Sequence, residues 1–246
     1  MKNYVCFISD VHLGLQVGDY KDRERRLVSA IESLPEETSA LYLLGDIFDF
    51  WYEYKYVVPK GFTRFFGSLA RLNDRGVKLY FFKGNHDVWA FGYFREELGM
   101  EILNEPFQTI IGSKKFCLGH GDGLPGDDKK YLFLRSVFHN KILQRMFSNI
   151  HPRWAFALAS RWSVHNRLYK GVRSNFNLEG HPLYKYVCER EITQPADYYI
   201  FGHLHLPGVV LTPAGGKMYI LGEWINGFEY LLYESESDTM EWKKGG

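Results

Sequence analysis

Cysteine is scarce. Cys6, Cys117 and Cys188 are the only three in 246 residues, and they are odd in number and far apart. That excludes a disulfide framework and a zinc knuckle, and it fits a reducing compartment. Long apolar runs are also missing, which excludes a membrane-spanning helix. The opening "MKNYVCFISD" has one lysine and a short apolar run before Asp10, too little for a secretion signal. A cytoplasmic protein is expected. No low-complexity tract or internal repeat is visible, so solenoids and long linkers are excluded. The length then suits one domain over 1–246. Finally, acid is missing from one stretch. Between Lys129 and Arg173 stand ten of the 30 Lys/Arg and none of the 29 Asp/Glu. That segment suits an anion. A nucleic-acid backbone is one such anion, but the segment is too apolar and the net charge of +1 too small, so no nucleic acid is expected.

What is present is a series of short apolar runs, each followed by a polar cluster. "YVCFIS" leads to "DVHLG", "ALYLL" to "GDIFDFW", "VKLYFF" to "KGNHD", "KKFCL" to "GHGD" and "ADYYI" to "FGHLH". Short runs apolar on both faces read as central strands covered on both sides. Helical spacing occurs over 20–33 (Leu27, Val28, Ile31, Leu34) and 60–75 (Phe62, Phe65, Phe66, Leu69, Leu72). The runs "GVVLT", "KMYILG", "FEYLLYE" and "TMEWKK" read as an antiparallel tail. The basic segment, about 127–192, reads as a helical insert over the catalytic face. Its stripe Phe133, Phe138, Leu143, Phe147, Trp154, Phe156 and Trp162 is either helix core or a lipid-facing groove. His139, His151, His165 and His181 lack metal spacing and read as surface or helix-capping residues.

Each polar cluster ends a strand, where α/β sheets place their sites. Together they hold Asp10, His12, Asp46, Asn85, His86, Asp87, His120, Asp122, His203 and His205. His203 and His205 are two apart, so on an extended segment they point the same way. A single H-x-H reads more readily as a polar turn after a strand. Five clusters of carboxylate, amide and imidazole have a shared chemical reason. Two adjacent divalent ions need a bridging carboxylate, terminal imidazole and carboxylate ligands, and an open edge for water and a phosphoryl oxygen. A nitrogen and oxygen donor set without thiolate suits Mn²⁺, Zn²⁺ or Fe. Asp49 in "GDIFDFW" is either a turn acid or a support to the ligands.

In this order the motifs D-x-H, GD, GNHD, GH and GH-x-H resemble those of the calcineurin-like metallophosphoesterases. The resemblance implies an α/β fold with a mixed β-sheet core, a sandwich flanked by helices, and two divalent ions. It gives one ion Asp10, His12, Asp46 and His205, and the other Asp46, Asn85, His120 and His203. His86 would contact phosphoryl oxygens or protonate the leaving group, oriented by Asp87.

"GDIFDFW", "HGDGLPGDDKKYLFLR" and the insert resemble more narrowly those members that cleave the pyrophosphate of a UDP-linked, doubly acylated glucosamine in lipid A synthesis, with Mn²⁺ as the metal. By that likeness Asn85, Asp128, Tyr131, Arg161, Ser163, Asn166 and Lys170 would lie near the substrate. Docking on an anionic inner-membrane surface would follow from basic residues interleaved with Trp and Phe. Proteobacterial members carry arginine where this chain has His86. The alternatives are a phosphodiesterase or phosphatase for a nucleotide or another pyrophosphate, and a binding-only scaffold, which should have lost ligands that are all present here.

Overall fold

The first strand shows how the layers arise. In "YVCFI", Val5 and Phe7 point to one side and Cys6 and Ile8 to the other, because strand side chains alternate. Both pairs are apolar, so both faces must be covered. In the computed structural model Val5 and Phe7 face a second sheet, while Cys6 and Ile8 face helices. The structure describes residues 3–125, 128–169 and 177–246, without the side chains of 160, 162 and 164–169.

The chain runs β1 (Tyr4–Ile8), α1 (Tyr20–Glu32), β2 (Thr38–Leu44), α2 (Thr63–Asp74), β3 (Lys78–Phe82), α3 (Tyr93–Leu98) and β4 (Glu101–Leu103). It continues with β5 (Phe107–Ile111), β6 (Lys114–Leu118), α4 (Lys129–His139), α5 (Lys141–Phe147), α6 (Pro152–Tyr169) and α7 (Pro182–Thr193). It closes with β7 (Tyr198–Phe201), β8 (Gly208–Leu211), β9 (Lys217–Ile220), β10 (Glu229–Glu234) and β11 (Thr239–Lys244). One sheet has the order β11-β10-β1-β2-β3-β4 and the other β5-β6-β7-β9-β8. Strands β1, β2, β3 and β4 run parallel, as do β6, β7 and β9.

The five runs expected to be central strands therefore divide between two sheets, three in one and two in the other. The expected antiparallel tail divides as well. β8 and β9 pair in the second sheet, whereas β10 and β11 return to the first, where β10 pairs antiparallel with β1.

The inner faces meet through Phe7, Tyr42, Leu44 and Phe82 on one side and Phe116, Leu118, Tyr198 and Ile200 on the other. Burial of each such side chain is worth about 1.5–3 kcal/mol, so this seam is a large part of the stability. Outside the first sheet, Leu27 and Ile31 of α1, Phe65 and Leu69 of α2 and Phe94 of α3 complete a second cluster. Asp19 caps α1 by accepting from the Asp22 N–H. Outside the second sheet, Leu183 and Val187 of α7 pack on Cys117, Tyr199 and Ile220. Helix α7 lies within the stretch expected to be an insert, but its buried face makes it the fourth layer of the sandwich.

Helices α4 to α6 are the true cover. Tyr52 Oη donates to Gln144 O (2.6 Å) and Trp89 Nε1 to Phe138 O (2.9 Å), fixing α4 and α5 to the loops after β2 and β3. The aromatic stripe splits. Phe138 and Phe147 pack on Trp89, and Phe156 on Phe50. Phe133, Leu143 and Trp154 are exposed, and Trp162 has no described side chain. His151 and His181 cap helices, their Nδ1 atoms accepting from the Arg153 and Leu183 N–H groups.

Candidate metal centre

Parallel strands β1, β2, β3, β6 and β7 open at one edge, and every polar cluster lies just beyond a carboxyl end. The loops are stitched to one another. Asp10 N donates to Gly45 O (3.1 Å), His12 N to Asp46 O (2.9 Å) and Gly202 N to His120 O (3.0 Å). Asp10, His12, Asp46, His203 and His205 all have positive φ, between 51° and 69°. Non-glycine residues rarely adopt this conformation, and it concentrates at functional sites. Gly84 and Gly202 permit the close approach. A side chain at Gly84 would overlap the Asp46 carboxylate, and one at Gly202 would overlap Ser9 and Asp10.

Asp10, His12, Asp46 and His205 bring donor atoms within 4.8 Å of one another. His205 Nε2 lies 3.4 Å from Asp10 Oδ1, and His12 Nε2 lies 4.0 Å from the same oxygen and 3.8 Å from Asp46 Oδ2. Asp46 Oδ2 also faces the other side, 3.5 Å from His120 Nε2. The rings of His120 and His203 are 5.1 Å apart, and His203 Nδ1 lies 3.1 Å from Asn85 Oδ1. Asp46 thus stands between two converging groups of donors.

The electrostatics ask for positive charge. Asp10, His12, Asp46 and His120 are at most 1 % exposed. His120 Nδ1 is 2.9 Å from Leu44 O. A carbonyl only accepts, so Nδ1 carries a hydrogen, and Nε2 is the ring atom left to face a metal. That Nε2 and Asp10 Oδ1 are buried without a hydrogen-bond partner. Burial pushes the Asp10 carboxyl up to about 7. Burial would raise Asp46 too, but His120, His86 and His12 around it hold its carboxyl well below the usual range. Buried lone pairs with nothing to accept from, in a donor set of oxygen and nitrogen without thiolate, fit a divalent metal centre.

The supports differ from the sequence reading at one point. Asp87 does not orient His86. Its carboxylate accepts from the backbone N–H groups of Gly84 (2.7 Å), Ile47 (2.8 Å), Phe48 (3.2 Å) and Asp46 (3.3 Å), so it fixes the Asp46 loop. His86 Nδ1 instead meets Asp49, at 2.9 Å from its main-chain oxygen and 3.7 Å from Oδ1.

Of the insert residues, Tyr131 donates to Asp122 Oδ2 at 2.8 Å, with its ring 6.3 Å from that of His203. Asp128 is exposed and caps α4 through the Lys130 N–H. Arg161 is exposed. Ser163 is buried, and its Oγ donates to Asp49 Oδ1 at 2.6 Å. The Asn166 side chain and Lys170 lie outside the described residues.

Sequence reasoning missed Glu105 and Arg135. Glu105 Oε2 accepts from the His120 N–H (2.6 Å) and the Gly121 N–H (3.0 Å), and Arg135 reaches both Asp122 and Glu105.

The profile of calcineurin-like phosphoesterases matches residues 4–207, and the chain belongs to that family. Among curated proteins it is similar to UDP-2,3-diacylglucosamine hydrolase of Porphyromonas gingivalis, 36 % identical over 98 % of each chain. It is also similar to UDP-2,3-diacylglucosamine hydrolase of Neisseria gonorrhoeae, 27 % identical over 92 % of each chain. Among solved structures, an archaeal phosphodiesterase aligns over 98 % of each chain with a TM-score of 0.48 and 11 % identity. Among the described residues, no helix is long and apolar enough to cross a membrane.

Proposed function

We propose that this chain hydrolyses the pyrophosphate of UDP-2,3-diacylglucosamine, giving UMP and 2,3-diacylglucosamine 1-phosphate. The observation that carries the reading is the 36 % identity to a hydrolase of that name over 98 % of both chains, which includes the helical cover as well as the catalytic frame. In this reading Asp10, His12, Asp46 and His205 hold one divalent ion, and Asp46, Asn85, His120 and His203 hold the other. The shared position of Asp46 Oδ2 supports its role as bridge. We assign Mn²⁺, which suits mixed nitrogen and oxygen donors. Bound there, the ions supply charge for the phosphoryl oxygens and acidity for the attacking water.

The chain's own groups do the rest. His86 Nδ1 is committed to the Asp49 main-chain oxygen, which leaves Nε2 to meet a phosphoryl oxygen or the leaving group. Tyr131 sits beside His203 at the edge of the cover, where a substrate held at the metal centre would pass. Exposed Phe133, Ile142, Met146, Trp154 and Leu158 lie on α4, α5 and α6 among Lys129, Lys130, Lys141, Arg145 and Arg153. We read that surface as the meeting place with acyl chains and with an anionic membrane surface on the cytoplasmic side.

The test is UMP release with Mn²⁺ from UDP-2,3-diacylglucosamine and, in parallel, from UDP-N-acetylglucosamine, below the micelle threshold. Each buried methylene is worth roughly 0.8 kcal/mol, so the acylated substrate should win by orders of magnitude in kcat/KM. Equal rates would refute the lipid reading and leave a general phosphoesterase.

A further inference from the structure

Near the start of helix α1 stands a cation that local preference does not explain. The macrodipole favours acids there, yet the residue is Arg23, and it is 1 % exposed. A charge taken out of water must be well hydrogen-bonded. Nη1 of Arg23 donates to His12 O (2.8 Å) and Leu15 O (3.2 Å), and Nη2 donates to Val17 O (2.7 Å). One guanidinium thus gathers three main-chain oxygens of the loop that leads from His12 to the helix. The helix is itself fixed, because its Leu27 and Ile31 are buried in one cluster with Ile8, Val11 and Leu13. His12 needs such a hold. Its φ of 51° is sparsely populated by any residue but glycine. On one side its N–H donates to Asp46 O at 2.9 Å, and on the other its carbonyl accepts from Leu15 N (3.2 Å) and from Arg23. The first bond ties His12 to the neighbouring loop, and the Arg23 bond ties it to α1. Local rules are broken mainly where function asks for it.

We infer that Arg23 is a positioning residue of the metal centre: anchored in α1, it holds the main chain of His12 so that the imidazole meets Asp10 and Asp46. It acts through the His12 carbonyl and not through the ring. Lysine is no substitute, because an ammonium is a point donor, whereas the planar fork serves three oxygens from two nitrogens. Groups that orient a ligand are worth about ten- to a hundredfold in metal affinity. The inference rests on His12 as a ligand and not on the identity of the substrate.

The experiment compares Arg23→Lys, Arg23→Ala and, as a control on the same helix, Leu27→Ala, which removes buried volume alone. Mn²⁺ is titrated against a competing chelator. Tm is read in chelator, and kcat for the small diester bis(4-nitrophenyl) phosphate is read against free Mn²⁺. Arg23→Lys should raise the dissociation constant of one Mn²⁺ by about tenfold or more and leave the other near the parent value. Excess Mn²⁺ should then restore kcat. Ethylguanidinium added to Arg23→Ala should recover part of the affinity, since it returns the same fork to the vacated space. Leu27→Ala should lower Tm and leave Mn²⁺ affinity alone. Unchanged affinity in Arg23→Lys, or a loss shared by Leu27→Ala, would overturn the inference and make Arg23 a support of the fold only. Failure of both Arg23 variants to fold would overturn it in the same way. A parent without affinity for Mn²⁺ would remove the metal centre and this inference together, before any variant is made. A parent that binds Mn²⁺ but leaves the UDP-sugar intact would refute the substrate, while the titration would still decide Arg23.

Discussion

Arg135 on α4 stands between two carboxylates of the frame. Its Nε donates to Asp122 Oδ2 at 2.7 Å, and Nη2 lies 3.6 Å from Glu105 Oε1. The side chain of Asp122 is 2 % exposed and that of Glu105 16 %. Truncation to alanine therefore leaves two carboxylates facing each other with little water to replace the guanidinium. Removing one partner of a buried ion pair costs about 3–5 kcal/mol. Arg135 is itself 29 % exposed, and solvent already screens part of its field, so about 3 kcal/mol is expected.

For a chain of this length each kcal/mol moves Tm by roughly 2–4 °C, which puts the fall for Arg135→Ala at about 6–12 °C. Urea unfolding should show a lower midpoint at unchanged slope, because the native surface is the same. Arg135→Lys keeps the charge without the planar fork and should lose about half as much. A loss below about 1 kcal/mol for Arg135→Ala would refute the reasoning, since it would mean that water or rearrangement satisfies both acids.

Asp46→Asn should strip metal from both positions and abolish turnover, whereas His86→Ala should keep its metal and lose turnover; elemental analysis after dialysis separates the two. Gly84→Ala should be as damaging as a ligand substitution, because its methyl carbon would lie 2.8 Å from Asp46 Cγ. Normal metal content and rate in that variant would show that the Asp46 loop can move. Asp238, in the β10–β11 turn, accepts from Tyr198 Oη (2.8 Å) and Tyr233 Oη (3.0 Å) and faces Lys114 Nζ at 3.1 Å, tying the two sheets together. Burial would raise its carboxyl, but the Tyr198, Lys114 and Tyr233 donors hold it below the usual range. Its stabilisation is therefore complete above the unfolded value of about 3.9 and lost as pH falls through the lower folded value. Asp238→Ala should cost about 1 kcal/mol, discounted for a carboxylate 39 % exposed. That difference should be flat from neutral pH to about 5 and should shrink below about 4.

The five clusters were legible because each pairs an apolar strand with ligand-type residues at its end, and a strand end is where side chains from separate parts of the chain converge. What could not be read was which acid serves which imidazole. Asp87 adjoins His86 in sequence, yet neighbouring side chains diverge, and Asp87 turns to four backbone N–H groups. Asp49, 37 positions earlier, meets the ring instead. Glu105 and Arg135 gave no signal because their pairing exists only through space. In sequence helix α7 cannot be told from the insert, because helical periodicity runs on. Only its buried face, Leu183 and Val187 against the second sheet, separates it from the cover. The edge strand β5 alternates half-buried and exposed residues, with Ile110 68 % exposed, so it lacks the two-sided apolarity that marked the others.

The backbone of the site leads to a last prediction. Asp10, His12, Asp46, His203 and His205 each sit at positive φ, where a side chain costs on the order of 1 kcal/mol or more. Five such residues amount to about 5 kcal/mol, a large part of an ordinary domain's stability. The hydrogen bonds between the loops and from Asp87 offset some of that, while the buried donors of Asp10 and His120 add a further desolvation cost. A cation that satisfies those donors binds the folded chain alone, so it must stabilise it. At free metal about 100 times its dissociation constant the gain is about 2.7 kcal/mol, or roughly 5–11 °C in Tm at this length. Titrating Mn²⁺ into chelated protein should raise Tm progressively, and Asp46→Asn should flatten the response. A Tm indifferent to Mn²⁺ in the parent would mean that these five strained residues are held for some purpose other than a metal.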